Sequence, residues 1–113
     1  MKDIYGFLGL ACRSGKISSG TMAARSSITS RRANVLIMSN DISPASGEAL
    51  RALCRRFRVP WMTMGDKYRL GTAVGKAYRV AVTVNDKGMA ETILKVLNEA
   101  EEAKSMGVDE WQK

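Results

Sequence analysis

The chain has 113 residues, 45% of them hydrophobic and 26% charged, and its 18 Lys+Arg against 11 Asp+Glu give a net charge of +7. That length makes a single domain whose own core suffices for folding without a disulfide or metal staple, and the composition excludes a wholly disordered chain. There is no histidine, which removes Ser-His-Asp and Cys-His nucleophilic sites and most zinc and iron enzymes.

In chain order, Lys2 to Arg13 carries apolar residues at Ile4, Phe7, Leu8 and Ala11, the stripe of an amphipathic helix, ended by Ser14-Gly15. Lys16 to Ser18 reads as a short extended piece. Ser19-Gly20-Thr21 then opens a second helix running to about Ser30. After the basic turn Arg31-Arg32-Ala33, Asn34 to Met38 reads as a strand buried on both faces. Ser43 and Pro44 supply an N-cap and a first helical residue. The helix they start places Ala49, Leu50, Leu53, Cys54 and Phe57 on one side and Arg51, Arg55 and Arg58 on the other.

Val59 to Met64 is the next strand. Gly65-Asp66 caps a short helix through Leu70 and Val74, and Arg79 to Val84 is a β-branched strand. Asn85-Asp86 caps a last helix bearing Met89, Ile93, Leu94 and Leu97. The pattern fades from Glu101, so residues 1–100 are expected to form the domain and residues 101–113 an acidic tail. Alternating helices and strands with short connections predict an α/β sandwich.

The charge is unevenly placed. Residues 1–88 hold 15 basic and 5 acidic side chains, whereas residues 89–113 hold 3 and 6. A basic body favours a polyanionic partner, nucleic acid being the commonest. Cys12 and Cys54 both fall within apolar helical patterns, as buried thiols of a reducing compartment do. The longest apolar run, Val35 to Met38, is too short for a bilayer. We therefore expect a cytoplasmic protein with no membrane partner.

Ser14-Gly15-Lys16 is not a phosphate-binding loop, because five residues separate Gly9 from Gly15 and Ile17 stands where a hydroxyl is needed. Asp41, Asp66 and Asp86 each precede a helix, where a carboxylate accepts orphan backbone N–H bonds. No residue volunteers as a catalyst, and no cofactor or metal is expected. What remains is a set of polar turns, Ser18 to Met22, Ser39 to Ser43 and Gly65 to Tyr68, with Lys16, Arg25, Arg31, Arg32 and Lys67 close by. Such turns can cluster at one edge of an α/β sheet and offer helix N-termini to phosphates.

Two stretches, LGLACRSGKISSG and VLIMSNDISPASGEALRALCRRFRVPWMTMGDKYRLGTAVGK, resemble the ribosomal-protein superfamily of the large-subunit proteins "L seven Ae" and "L thirty e", including its small bacterial members of the YlxQ and YbxF type. The likeness runs from about Ile4 to Leu97. Its most specific part is Asp41-x-x-Pro44, Leu53-Cys54, Val59-Pro60, and Leu70-Gly71 followed by Gly75-Lys76. The resemblance implies a three-layer α-β-α sandwich around a small four-stranded mixed sheet, with the piece near Lys16 to Ser19 as the extra strand.

It also implies a monomeric, non-catalytic protein that binds structured RNA, with ribosomal proteins as neighbours. Many such proteins recognise kink-turns. The implied RNA-binding face comprises Lys16, Ser18, Ser19, Gly20, Thr21, Met22 and Arg25, with Asn40, Asp41, Gly65, Asp66, Lys67 and Tyr68 opposite. Lys16, Arg25 and Lys67 would neutralise phosphate, Gly20 would let the backbone approach, and Tyr68 would stack on a base.

The chain departs from the kink-turn pattern Gly-x-Asn-Glu-x-x-Lys. Gly20 is kept, but Met22, Ala23 and Ser26 replace the Asn, Glu and Lys. Lost base-edge hydrogen bonds remove discrimination while phosphate attraction stays. The alternative is a protein–protein adaptor that docks an acidic surface on Arg51, Arg55 and Arg58, or docks through the tail with Trp111.

Overall fold

The computed structural model describes residues 4–105, with side-chain surroundings given through residue 98. The order of elements is α1 (Ile4–Arg13), β1 (Ile17–Ser19), α2 (Thr21–Thr29), β2 (Val35–Met38), α3 (Pro44–Phe57), β3 (Trp61–Thr63), α4 (Lys67–Ala73), β4 (Ala81–Val84) and α5 (Lys87–Ser105). The expected start of the first helix at Lys2 and the end of the expected tail, Trp111 included, lie outside the described residues. Helix α5 continues through Ser105, past the expected boundary near residue 100.

The four strands form one mixed sheet in the order β1-β4-β2-β3. β2 and β3 run parallel, whereas β4 is antiparallel to both β1 and β2. Period-two alternation then assigns residues to the two faces. Val35, Ile37, Val82 and Val84 join Ile4, Leu8, Leu70 and Ile93, so α1, α4 and α5 cover one face. Leu36, Met38 and Ala81 join Ala24, Ile28, Leu50 and Cys54, so α2 and α3 cover the other. The expected three-layer sandwich is the observed one.

The regular strands are shorter than the apolar runs. Val59 and Pro60 precede β3, and the Pro60 carbonyl accepts from the Leu36 N–H at 3.0 Å. Proline has no N–H to give the ladder, which delays the strand. Helix α3 begins as expected, with the Ser43 hydroxyl accepting from the Ser46 N–H at 3.2 Å and Pro44 in the first turn. It ends at Phe57, and Arg58 follows in the left-handed conformation at φ 61°. Arg58 is thus a cap and not part of the helical arginine face. Burial pushes the Cys54 thiol up to about 12, opposed only by nearby Arg55, so it stays protonated.

The last expected cap is half right. The Asp86 carboxylate accepts from the Met89 N–H at 2.9 Å, but Asn85 continues the Thr83 face of β4 into the protein. Its side-chain oxygen accepts from Ser27 Oγ at 2.7 Å and Thr83 Oγ1 at 3.1 Å, while its amide donates to Ser18 Oγ at 2.9 Å. Ser27 and Thr83 are wholly buried, so one side chain satisfies the polar atoms between α2 and the sheet.

Candidate functional site

Strand register places the polar turns together. Ser19 lies opposite Val82, Met38 opposite Ala81, and Met38 beside Thr63. The carboxyl ends of β1, β2 and β3 therefore share one sheet edge with the amino end of β4. From this edge the chain leaves into α2, α3 and α4.

Gly20 joins β1 to α2 at φ 102°, ψ 157°, and its N–H donates to the Ala81 carbonyl at 2.8 Å. A residue with Cβ is strained at that φ, so glycine holds the helix start against the sheet. No side chain caps α2. Its first turn therefore presents backbone N–H groups and the positive end of the helix dipole outward. Met22 is 83% exposed there, an unusual position for a large apolar side chain, and Arg25 is exposed one turn on.

The facing turn is tied down by two carboxylates. Asp66 Oδ1 accepts from the N–H groups of Tyr68 at 2.9 Å and Arg69 at 2.8 Å, as a helix cap. Asp41 was expected to cap its own helix. It instead reaches across to accept from the Lys67 N–H at 3.1 Å, while Ser43 serves α3. The Ser39 hydroxyl lowers the Asp41 carboxyl below its ordinary value most, opposed by desolvation and assisted by the Lys67 N–H. That hydroxyl is buried and meets no partner at full hydrogen-bond geometry among the described residues. The Asn40 N–H donates to the Gly65 carbonyl at 2.8 Å, closing the two turns on each other.

Beside them stands an aromatic pair. The Tyr68 and Tyr78 rings meet edge to face with centroids 6.5 Å apart, and Lys67 Nζ lies 5.4 Å and 5.8 Å from the two centroids. Both rings are more than half exposed. Arg79 spans the gap to β1: its N–H donates to the Lys67 carbonyl at 2.9 Å and its Nε to Ser19 Oγ at 3.3 Å. Such an arrangement can stack a base on tyrosine and neutralise phosphate with lysine and arginine.

Of the residues singled out in the sequence, Ser19, Gly20, Thr21, Met22 and Arg25 come together on the β1–α2 side. Asn40, Asp41, Gly65, Asp66, Lys67 and Tyr68 come together on the other. Ser18 sits nearby, but its hydroxyl is engaged by Asn85. Lys16 is elsewhere. It precedes β1, its carbonyl accepts from the Asn85 N–H at 2.7 Å, and it lies at the opposite edge of the sheet.

Sequence reasoning missed Tyr78, to which it gives no role, and Arg79, which reads as the first residue of a strand that in fact begins at Ala81. Only the antiparallel placement of β4 reveals that their end of it is the end that matters. The arginine face of α3 also changes character, since Glu48 pairs with Arg55 at 2.8 Å and with Arg51 at 3.4 Å. Arg51 and Arg55 are thus partly neutralised, and Arg58 lies off this face as the helix cap. Among the described residues no group of acidic or cysteine side chains could hold a metal ion, and no helix is long and apolar enough to cross a membrane.

Comparison with known proteins agrees with this architecture. The chain is 30% identical over 94 residues to the RNA-binding protein YlxQ of Bacillus subtilis (strain 168), covering 83% of this chain and 94% of that protein. It is 32% identical over 93 residues to the large ribosomal subunit protein eL8 of Thermoplasma volcanium, covering 81% and 77%. Among solved structures, a protein of unknown function from Bacillus halodurans C superposes with TM-score 0.82 at 24% identity, covering 86% of this chain and 98% of the other. The Giardia lamblia 15.5kD RNA binding protein superposes with TM-score 0.74 at 17% identity, covering 86% and 83%. The model of the ribosomal protein L7Ae/L30e/S12e/Gadd45 family matches residues 2–94, and with most of its length matched the chain belongs to that family.

Proposed function

We propose that the protein is a non-catalytic RNA-binding protein that grips structured RNA at the sheet edge bearing Gly20 and Tyr68. The observation that carries this reading is the convergence of the uncapped α2 start with the Lys67–Tyr68–Tyr78 cluster, joined through Arg79. A folded RNA is recognised by its shape, its phosphates and its splayed bases, and the edge offers a complement to each. Arg25 and Lys67 meet phosphates on either side, Gly20 allows close approach, and Tyr68 or Tyr78 receives an unstacked base. The names of YlxQ and of the Giardia protein support the same partner class.

Titration of the protein against structured ribosomal RNA should show affinity falling steeply with salt. Lys67→Ala should reduce the slope of log affinity against log salt by about one. Absence of binding at low salt would overturn the reading.

Met22, Ala23 and Ser26 bear on specificity. None offers a base edge the amide, carboxylate or ammonium found in kink-turn readers. Discrimination should be small: a kink-turn and the same RNA with its G·A pairs destroyed are expected to bind within a few-fold of each other. The triple change Met22→Asn, Ala23→Glu, Ser26→Lys adds one charge of each sign. It should therefore raise preference for the intact kink-turn by roughly 1–3 kcal/mol per restored pair with little change in salt slope. Tight, G·A-dependent binding by the unmodified protein would show that other groups do the reading.

A further inference from the structure

The edge of the sheet opposite Gly20 collects cations of its own. Ile17, Val84 and Val35 lie side by side there, and the Asn34 N–H donates to the Val84 carbonyl at 2.8 Å. Just beyond the strand ends come Lys16 before β1, Arg31 and Arg32 before β2, Arg58 before β3 and Lys87 after β4. A cleft of about 340 Å³ opens among Arg31, Arg58 and Lys87, lined also by Ile28, Phe57 and Glu91; Lys16 and Arg32 lie outside its lining. The Arg31 and Arg56 guanidinium groups lie 5.1 Å and 5.5 Å from the centroid of the Phe57 ring.

Two properties set this cleft apart. The first is charge: the cleft lining carries Arg31, Arg58 and Lys87 against the single carboxylate of Glu91, and none of the three cations enters an ion pair among the described residues. Several like charges around one apolar hollow repel each other until an outside anion neutralises them. The second property is conformational. Arg31 at φ 65° and Arg58 at φ 61° are the non-glycine residues with positive φ among the described residues, and both line this cleft. Either position would be less strained as glycine, yet each presents a planar guanidinium of the kind that grips two phosphate oxygens at once.

We propose that this cleft is a second RNA-backbone site, so that one folded RNA is held at both ends of the sheet. The proposal rests on the RNA reading above and extends it to a surface that reading does not use. Lys16, stranded from the first edge, lies at the same end of the sheet as the cleft but does not line it. Strands of three or four residues set the two edges roughly 10–13 Å apart, a span that an RNA with an additional helical arm can bridge.

The test compares two RNAs, a short stem with an internal loop and the same RNA extended by a helical arm, across a salt series. Arg31→Gly/Arg58→Gly relieves both positive-φ positions, so its melting temperature should equal or exceed that of the unmodified protein. On the extended RNA its salt slope should fall by about two and its affinity by about tenfold or more. On the short RNA both should stay within twofold. Lys87→Gln, at an exposed position, provides a check independent of backbone strain and should lower the slope by about one on the extended RNA. Unchanged slopes and affinities in both variants, with the unmodified protein binding normally, would overturn the proposal and leave an acidic protein as the occupant. Failure of the unmodified protein to bind either RNA would remove the RNA reading and this proposal with it.

Discussion

Gly71→Ala is expected to lower the melting temperature by roughly 10–20 °C, equivalent to about 2–4 kcal/mol for a domain of this size. Gly71 is buried in α4, and a Cβ there would overlap the backbone of Tyr78, meeting its Cα, carbonyl carbon and nitrogen. Backbone cannot swing aside as a flexible side chain can. Either the helix shifts off the sheet or the segment carrying Tyr78 and Arg79 moves out, and overpacking costs of this order follow. The second route also breaks the Arg79 bond to Ser19. RNA affinity should therefore fall further than the loss of folded protein accounts for. Gly88→Ala is the control: it lies at an exposed position of α5 with only Asp86 Oδ2 near, at 3.5 Å, and should stabilise by up to about 1 kcal/mol. Thermal melts followed by circular dichroism decide both.

Asn85→Ala should cost about 3 kcal/mol, read from urea unfolding. The substitution removes the acceptor for two wholly buried hydroxyls, Ser27 and Thr83, and the donor to Ser18. Each orphaned buried polar group costs about 1–3 kcal/mol, whereas a well-made bond contributes only about 1. The triple change Ser27→Ala, Thr83→Val, Asn85→Ala should accordingly recover part of the loss, because it takes away the hydroxyls left stranded. A triple variant less stable than the single one would show that packing, not polar satisfaction, is what Asn85 provides.

The helices were legible because each buries one stripe. Ile4, Leu8 and Ala11 recur at the α-helical period and are the residues of α1 that the core receives. β2 was legible because Val35 to Met38 is apolar without alternation, as burial under helices on both sides demands. The sheet order was not legible from the residues, since it depends on contacts between segments far apart in the chain. Lys16 shows the consequence: four positions from Gly20, it is carried by β1 to the other end of the sheet. Asn85 misled for a related reason. Beside Asp86 it looks like a cap, but it stands two residues after Thr83 on the same strand face, and the sheet's period won over the helix start.

The sheet order also sets when the proposed edge can first assemble. β1 pairs in register with β4, and β4 separates β1 from β2. While a ribosome has yet to complete residues 81–84, Gly20 lacks the Ala81 carbonyl that fixes it and Ser19 lacks Arg79. Nascent chains shorter than that have the parallel pair β2 and β3 at most. Binding at the proposed edge is therefore expected only once β4 has joined the sheet and brought Arg79 and Ala81 against Ser19 and Gly20.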